Sequence, residues 1–352
     1  MMVPVGRLVL LRTAPRHELV RALAWLTIPA LIGPLIGPPL GGFIATYLHW
    51  RYIFWINVPI GLLGVVLATR FIPDLKEEET RPLDIKGAVL SGVGLSCLVF
   101  GATIVGRGFV PPPLVALIMV IGAASLVAYV RHARCVKHPI LDLRLLRTPT
   151  FRAAIIGGFL FRIGVGATPF LLPLLLQIGF RLNAYQSGLL VFVSTAGAMA
   201  MKASAQPILK RLGFRRVLTV NALISSAFLV MNAFFTEATP HLAMMGLFLI
   251  GGFFRSLQFT ALNAIGYADI KAEQMSNATS FVSVVQQLAI SVGVAIAAEA
   301  LETTRGLRGG ETLIAADFTP AFLIVAAIAM SSVFVFWRLA PDAGDGLTGR
   351  KS

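Results

Sequence analysis

Two arginines lie inside long apolar segments of this 352-residue chain, where a charged side chain has few ways to be satisfied. They are Arg162 and Arg255. A charge near the middle of a bilayer costs roughly 2.5–3.5 kcal/mol, so each guanidinium should face a polar cavity or a partner. Each could pair with a carboxylate or an anionic group of a ligand, or could hold backbone carbonyls of a neighbouring helix. We predict that both line the cytoplasmic half of a pathway, with Gln258 one turn from Arg255 on the same helix face.

Uncharged amides form a second set of candidate residues. Gln177 follows Pro169 and Pro173 in one apolar segment, and Gln286 and Gln287 lie in another. Each amide could bind a ligand, or it could link two helices through a hydrogen bond worth about 0.6 kcal/mol on average. We keep all three glutamines as candidates for lining the pathway.

The acidic and nucleophilic residues point away from enzymatic chemistry. The apolar segments contain one carboxylate, Glu299, which lies near the end of its segment and is a poor candidate for a desolvated proton carrier. The sequence has no Ser/His/Asp grouping, no HExxH and no phosphate-binding loop, and Cys97 and Cys135 lack metal-ligand spacing. We therefore predict no enzymatic activity, no metal, no cofactor and no coupling acid in this chain.

A glycine stretch is the most regular pattern in the sequence. Gly33, Gly37 and Gly41 recur at every fourth position, and each lies about 40° around the helix from the one before, so one face carries no side chains. A second helix could pack there backbone to backbone. Pro38, before Gly41 and Gly42, removes a backbone donor, which a membrane bundle tolerates as a kink. We predict a kinked helix whose glycine face is a packing surface or, without its neighbour, an open groove.

The composition places these residues in a membrane protein. Hydrophobic residues make up 57% of the chain and charged residues 13%, against about 25% charged in typical soluble domains. The apolar runs are near the 20 residues that cross a hydrocarbon core of about 30 Å. We predict an all-α, polytopic helical membrane protein with about ten transmembrane helices, at 22–47, 52–71, 85–106, 113–131, 152–178, 185–206, 216–236, 242–264, 278–301 and 318–338.

The basic residues give an orientation. The net charge is +14, yet 22 of the 30 Lys and Arg residues lie in the ends and alternate loops on one side, and only five lie on the other. This asymmetry is typical of cytoplasmic loops, so we predict that both chain ends are cytoplasmic and that the charge does not serve nucleic-acid binding. The basic loop 132–151 should include a short helix at the membrane surface.

Three motifs resemble one family. The pattern G-x3-G-P-x2-G-G at 33–42 is similar to the antiporter motif in the fifth helix of major facilitator superfamily drug:proton antiporters. The segment 49–61 resembles the start of helix six in the 14-helix branch, although Ala24 stands where the longer motif has glycine. Residues 206–216 are similar to a degenerate copy of the family's cytoplasmic loop motif. That resemblance implies a conformational latch whose candidate residues are Lys210, Arg211, Gly213, Arg215 and Arg216.

The resemblance implies a partial major facilitator fold with a definite division of the chain. Helices one to three and most of helix four would be missing, and the start would be a fragment, a misassigned methionine or a degraded gene. The expected parts are a helix-four remnant and loop (1–21), the last two helices of the N-terminal bundle (22–71), a cytoplasmic linker (72–84), two extra central helices (85–131), a basic loop (132–151), a complete six-helix C-terminal bundle (152–338) and a cytoplasmic tail (339–352).

The resemblance also implies a function. It indicates a secondary transporter of the inner membrane that exports drug-like or amphipathic small molecules by alternating access, with the proton gradient as energy source and no cofactor. The expected partners are a small-molecule substrate and the lipid bilayer, without nucleic acid, and the sequence leaves the oligomeric state open. Two alternatives stay open: a non-transporting truncated protein or helical scaffold, and an anion-selective carrier suggested by the basic intramembrane charges.

Overall fold

The computed structural model describes residue 33 and residues 36–71, 84–104, 110–136, 139–271 and 274–348. These residues form α-helices joined by short loops and 3-10 turns, without a β-strand among them. In chain order the helices are α1 (36–47), α2 (Tyr52–Phe71, with a turn at Ile56), α3 (Ile85–Ile104), α4 (Pro112–Cys135), α5 (Pro149–Leu174), α6 (Ala184–Leu212), α7 (Phe214–Asn232), α8 (His241–Ile265), α9 (Met275–Arg308), α10 (Phe318–Trp337) and α11 (Asp345–Thr348).

Most of these helices are long and apolar enough to cross a membrane. Within the described ranges, α2 and the seven helices from α4 to α10 meet that standard, and α3 adds a shorter apolar stretch over Ile85–Gly101. About 20 apolar residues are needed to cross the hydrocarbon core. The predicted all-α, polytopic membrane architecture is therefore confirmed, while the first predicted span is described only at Gly33 and from residue 36 onward.

Several helices extend beyond the apolar runs that predicted them. The predicted span 278–301 corresponds to α9, which continues to Arg308 and ends at Gly309, whose φ of 70° is left-handed. The span 185–206 corresponds to α6, which continues to Leu212. Helices extend into the polar boundary because backbone hydrogen bonding does not require apolar side chains there. The predicted surface helix of the basic loop is a single 3-10 turn at Leu143–Arg147.

The helices α5 to α8 and α10 share one apolar core. Phe161 of α5, Leu218 of α7, Ala261 of α8 and Phe336 of α10 are fully or almost fully buried in it. Small residues allow short distances between helix axes. The backbone of α5 at Ile163 lies directly against Gly293 of α9, where a side chain would not fit. Close packing of this kind holds helices together in lipid, where water provides no driving force.

The loop after α4 is fastened to the helix ends. The hydroxyl of Tyr129 accepts a hydrogen bond from the Leu141 N–H (2.8 Å) and lies 3.0 Å from the Leu141 carbonyl oxygen. At the same end, His132 Nε2 lies 2.7 Å from Asp84 Oδ1, joining the start of α3 to the end of α4. Burial raises the pKa of the Asp84 carboxyl, but hydrogen bonds from His132 and the Gly87 N–H outweigh it, so the net effect lowers the pKa.

Some predicted parts lie outside the described residues. They are the helix-four remnant at 1–21, nearly all of the linker 72–84 and the last four residues of the tail. Residues 22–32, 34 and 35 of the first predicted span also lie outside. The predicted division of the chain into bundles stays a prediction.

Candidate functional site

A groove of about 610 Å³ opens between α1, α5 and α6, with one side chain contributed by α8. Its wall brings together six residues that the sequence singled out: Gly37, Pro38, Gly41, Gly42, Gln177 and Arg255. Arg255 is the one charged side chain among the described lining residues. The volume lies within the range of about 300–1,000 Å³ found for small-molecule sites.

Helix α1 approaches α6 at backbone distance through glycines on both helices. A Cβ placed on Gly42 would overlap the Ala184 carbonyl oxygen, and one placed on Gly188 would overlap the Pro38 carbonyl oxygen. The Tyr185 N–H also donates a hydrogen bond to the Thr46 hydroxyl at 3.0 Å. The absent side chains therefore permit this crossing, which forms one end of the groove.

The rest of the glycine face is open. A Cβ on Gly33, Gly37 or Gly41 would meet no atom within 4 Å, and Gly37 and Gly41 border the groove. The open groove predicted for this face is present at those positions. At Gly42 the helix does have a close neighbour, which is the start of α6.

The α5 wall of the groove is shaped by prolines. Pro169 and Pro173 lie inside α5 and remove two backbone donors, and the helix widens into a π-helix at Leu175–Gly179. Gln177 lies in this widened turn, is exposed and lines the groove. Widened turns of this type often occur where a helix contributes to a binding site.

Arg255 is positioned by the tight contact of α6 with α8. Its Nη2 donates to the Ser194 hydroxyl at 3.1 Å. The two helices meet closely because Gly252 lies against the Ser194 backbone and Gly197 against the Leu249 backbone. Arg255 therefore contributes its guanidinium to the groove wall, and its predicted place in the cytoplasmic half of the pathway stays a prediction.

Gln258 has a different environment from Arg255. Its side chain is fully buried, its Oε1 accepts from Asn221 Nδ2 at 2.9 Å, and its Nε2 donates to the Leu218 carbonyl at 3.1 Å. Both bonds reach α7, and Gln258 is absent from the groove lining. The amide therefore links α7 to α8 and does not share the groove face predicted for it.

Arg162 is buried away from the groove. Its side chain is 4% exposed, Nη2 lies 3.3 Å from Asn263 Oδ1, and its guanidinium carbon is 5.7 Å from the Phe259 ring centroid. Its Nε has no hydrogen-bond partner among the described residues. These contacts attach α5 to α8, so the two arginines do not line one cavity.

The remaining predicted residues are separate from the groove, and most of them are exposed; Gly213 is buried and Arg215 half-buried. Gln286 and Gln287 lie exposed on α9 and do not line it. In the predicted latch, Lys210 and Arg211 end α6, Gly213 has a left-handed φ of 76°, and Arg215 and Arg216 begin α7. No ion pair from these four basic side chains occurs among the described residues.

Sequence reasoning missed the small polar residues that surround Arg255. Thr168, Ser187, Ser194 and Thr195 line the groove beside it. Isolated serines and threonines are common in apolar helices, where they bond to their own backbone, so their types and spacing give no signal. Only the packing of α5 and α6 against α8 identifies them. The described residues contain no cluster of His, Cys, Asp or Glu that could hold a metal.

Apolar helices of spanning length around a groove lined by small polar groups and one arginine define a multi-pass membrane protein of the transporter class. Residues 1–294 match the Major Facilitator Superfamily, and the chain belongs to that family.

The chain is also similar to curated proteins of known sequence. It is 34% identical over 351 residues to "Putative multidrug resistance protein MdtD" of Escherichia coli O6:H1 (strain CFT073), covering 97% of this chain and 73% of the relative. A protein of the same name from Shigella flexneri is 33% identical over 351 residues, with the same coverage. The resemblance drawn from the glycine motif is confirmed at the level of the family.

Proposed function

We propose that this chain works as a secondary active transporter that exports drug-like or amphipathic small molecules in exchange for protons, with the groove as part of the substrate pathway. The observation that carries the proposal is the groove itself, which joins the glycine face of α1 to Gln177 and Arg255. Family membership and the multidrug resistance names of the relatives support the substrate class.

The groove suits amphipathic molecules because its wall is mixed. Leu172, Val191 and the prolines of α5 offer apolar surface, and Gln177, Ser187 and Arg255 offer polar groups. A few placed polar groups in a largely apolar site orient a ligand while burial of apolar area supplies affinity. Loose specificity for amphipathic molecules follows from that composition.

Alternating access would operate across the contact of α1 with α6. We assign α5 to α10 to the second bundle and α1 and α2 to the first, so this glycine contact joins the two bundles. Rocking of one bundle against the other would open and close the groove at that crossing. At Gly42 itself the contact is between backbones, without a side chain between the two helices.

The direction and energy source form part of the proposal. The asymmetry of Lys and Arg supports a multi-pass inner-membrane protein with both ends cytoplasmic. The proton gradient would supply the energy, without a cofactor. The described lining of the groove carries no carboxylate, so we do not place the coupling acid there.

Transport in reconstituted vesicles tests the proposal. The purified full chain would be inserted in proteoliposomes, a pH gradient imposed, and the flux of ethidium (a cationic probe) and fluorescein (an anionic probe) followed. We expect gradient-dependent flux of at least one probe, and its loss when a protonophore collapses the gradient. Equal leakage with and without the gradient, in vesicles that hold correctly folded protein, would contradict the proposed function.

A second candidate function is a non-transporting helical scaffold. It is favoured by α2, which is long and apolar but has no buried residue, with Trp55 and Phe71 largely exposed. Such a surface could contact another membrane protein. The absence of gradient-dependent flux would favour this alternative.

A further inference from the structure

A small chamber lies beside Arg255 and adjoins the groove. It has a volume of about 40 Å³, is partly open, and is lined by apolar and a few polar side chains of α5, α6, α7 and α8. From its lining we infer that the chamber is a binding site for a small monoanionic group, either a free halide ion or the carboxylate of a bound molecule.

Three lining side chains carry buried polar atoms without a partner among the described residues. They are Thr168 Oγ1, Ser225 Oγ and Asn232 Oδ1, on residues 7%, 4% and 6% exposed. Buried polar groups in folded proteins almost always have a hydrogen-bond partner, because an unsatisfied group loses its interaction with water without compensation. The grouping of three such side chains on residues that line one chamber is the observation from which we infer an occupant.

The chemistry of the lining favours an anion. Hydroxyls of Thr168 and Ser225 can donate, and rotation of the Asn232 amide presents two further N–H donors. Arg255 supplies a guanidinium with five N–H donors, of which one bond, to Ser194, is described. The described lining contains no carboxylate, so a cation would find no counter-charge.

The charge of Arg255 also calls for a counter-ion. No described carboxylate lines the chamber or the adjoining groove, and the helices around the guanidinium are apolar. A single charge in such surroundings is costly unless an opposite charge or a polar cavity satisfies it. An anion in the chamber would neutralise the guanidinium and accept hydrogen bonds from the Thr168 and Ser225 hydroxyls, and from the Asn232 N–H groups once that amide has rotated.

The size of the chamber limits its occupant. The volume of 40 Å³ is the space open to the centres of water-sized spheres, and each water needs about 10–15 Å³ of it. The chamber therefore holds about three waters, one halide or one carboxylate group. The chamber and the groove share Thr168, Leu172, Ser194 and Arg255. A carboxylate on an amphipathic molecule lying in the groove could therefore reach the chamber, and this second source rests on the proposed function.

Equilibrium binding to the purified full chain in detergent tests the inference without requiring transport. The probes are sodium bromide, 1-naphthoate and its neutral analogue 1-naphthamide, titrated calorimetrically in a halide-free buffer of constant ionic strength. We expect 1-naphthoate to bind about tenfold more tightly than 1-naphthamide, or bromide to bind by itself, since a hydrogen-bonded charge is worth about that factor.

Adjacent serines provide a matched pair of variants. Ser225 and Ser226 are both buried with unpartnered hydroxyls, but only Ser225 lines the chamber. Ser225→Ala should weaken binding of the anion about tenfold, and Ser226→Ala should leave it unchanged. Thr168→Val, which keeps the shape of the side chain, should weaken binding in the same way as Ser225→Ala.

The results distinguish a free halide ion from the carboxylate of a bound molecule, and they can overturn the inference that the chamber binds an anion. Bromide binding without selective 1-naphthoate binding identifies a free ion, and selective 1-naphthoate binding that bromide competes away identifies a substrate carboxylate. Equal affinity for 1-naphthoate and 1-naphthamide together with no bromide binding would overturn the inference. Equal effects of Ser225→Ala and Ser226→Ala would overturn it as well. Vesicles that show no flux would count against the proposed function alone, because the binding measurement needs no gradient.

Discussion

Arg255 and Gln258 show how one turn of helix separates two roles. Arg255 lines the groove and the chamber that adjoins it, whereas Gln258 is fully buried and bonds across to Asn221 and Leu218 of α7. Residues three positions apart share a helix face only approximately, and here the 60° between them is enough to direct the two side chains toward different helices. A polar residue near a charged one is therefore weak evidence that both contact a ligand.

Replacing Gln258 by leucine should lower stability without abolishing transport. The substitution removes both hydrogen bonds that Gln258 makes to α7, while Asn221 keeps its bond to the Phe254 carbonyl, and the loss should cost about 1–3 kcal/mol. Thermal unfolding of the purified protein measures the loss. Gln286→Leu, at an exposed position on α9, is the control and should leave the midpoint nearly unchanged. A larger effect at Gln286 than at Gln258 would contradict the assigned role.

The sequence predicted Arg255 as a site residue because a charge in an apolar segment is conspicuous. It could not predict Thr168, Ser194, Ser225 or Asn232, since uncharged polar residues occur widely in membrane helices and their partners lie on other helices. Arg162 carried the same signal as Arg255, yet its contacts with Asn263 and Phe259 are those of a helix-to-helix attachment. A charge in an apolar segment identifies a candidate site residue. The packing of the helices determines whether that residue lines a site or only attaches one helix to another.

At the scale of elements, the crossing of α1 and α6 is the helix contact that can be tested most directly. Gly42 and Gly188 meet the opposite backbone directly, and Phe43 and Tyr47 pack against Tyr185 around the crossing. The four-residue spacing of Gly33, Gly37 and Gly41 predicted a close approach on that face, but the face is open there and the close contact is made by Gly42. Which helix packs against a glycine face depends on the positions of all the other helices, and the glycine spacing does not contain that information.

Gly42→Ala and Gly41→Ala form a matched pair. An added methyl at Gly42 meets the Ala184 carbonyl, so the helices must separate at a cost of about 1–3 kcal/mol, while at Gly41 the methyl enters open space. The measurement is the yield of a short bismaleimide cross-link between Thr46→Cys and Tyr185→Cys, with Cys97 and Cys135 replaced by serine. We expect a lower yield for Gly42→Ala only, and equal yields would contradict the contact.

The junction of α3 and α4 should depend on pH. The folded-state pKa of Asp84 is lowered, so its carboxylate stabilises the fold at pH values above its unfolded pKa, and that contribution disappears as the pH falls through the lowered folded value. We expect the difference in unfolding midpoint between the wild type and Asp84→Asn to shrink on acidification. The exposed Glu311→Gln variant is the control. A difference that is constant across the acidic range would contradict the assignment.

At the scale of the whole molecule, apolar runs of spanning length were enough to predict an all-α membrane protein, because the bilayer fixes both length and composition. Helix ends were less predictable, as the polar extension of α9 to Arg308 shows. The groove was not predictable from any single segment. It exists because prolines widen α5, glycines bring α1 onto α6, and α8 inserts Arg255 between them.

The central claim is that this groove is the transport pathway, and blocking it chemically tests that claim most directly. In a protein with Cys97 and Cys135 replaced by serine, Thr195→Cys lies in the groove and Leu307→Cys lies exposed at the end of α9, away from it. Each variant would be labelled with a bulky maleimide in proteoliposomes before proton-driven flux of ethidium and fluorescein is measured. We predict that labelling at Thr195 removes the flux and labelling at Leu307 does not. Undiminished flux after complete labelling at Thr195 would contradict the account.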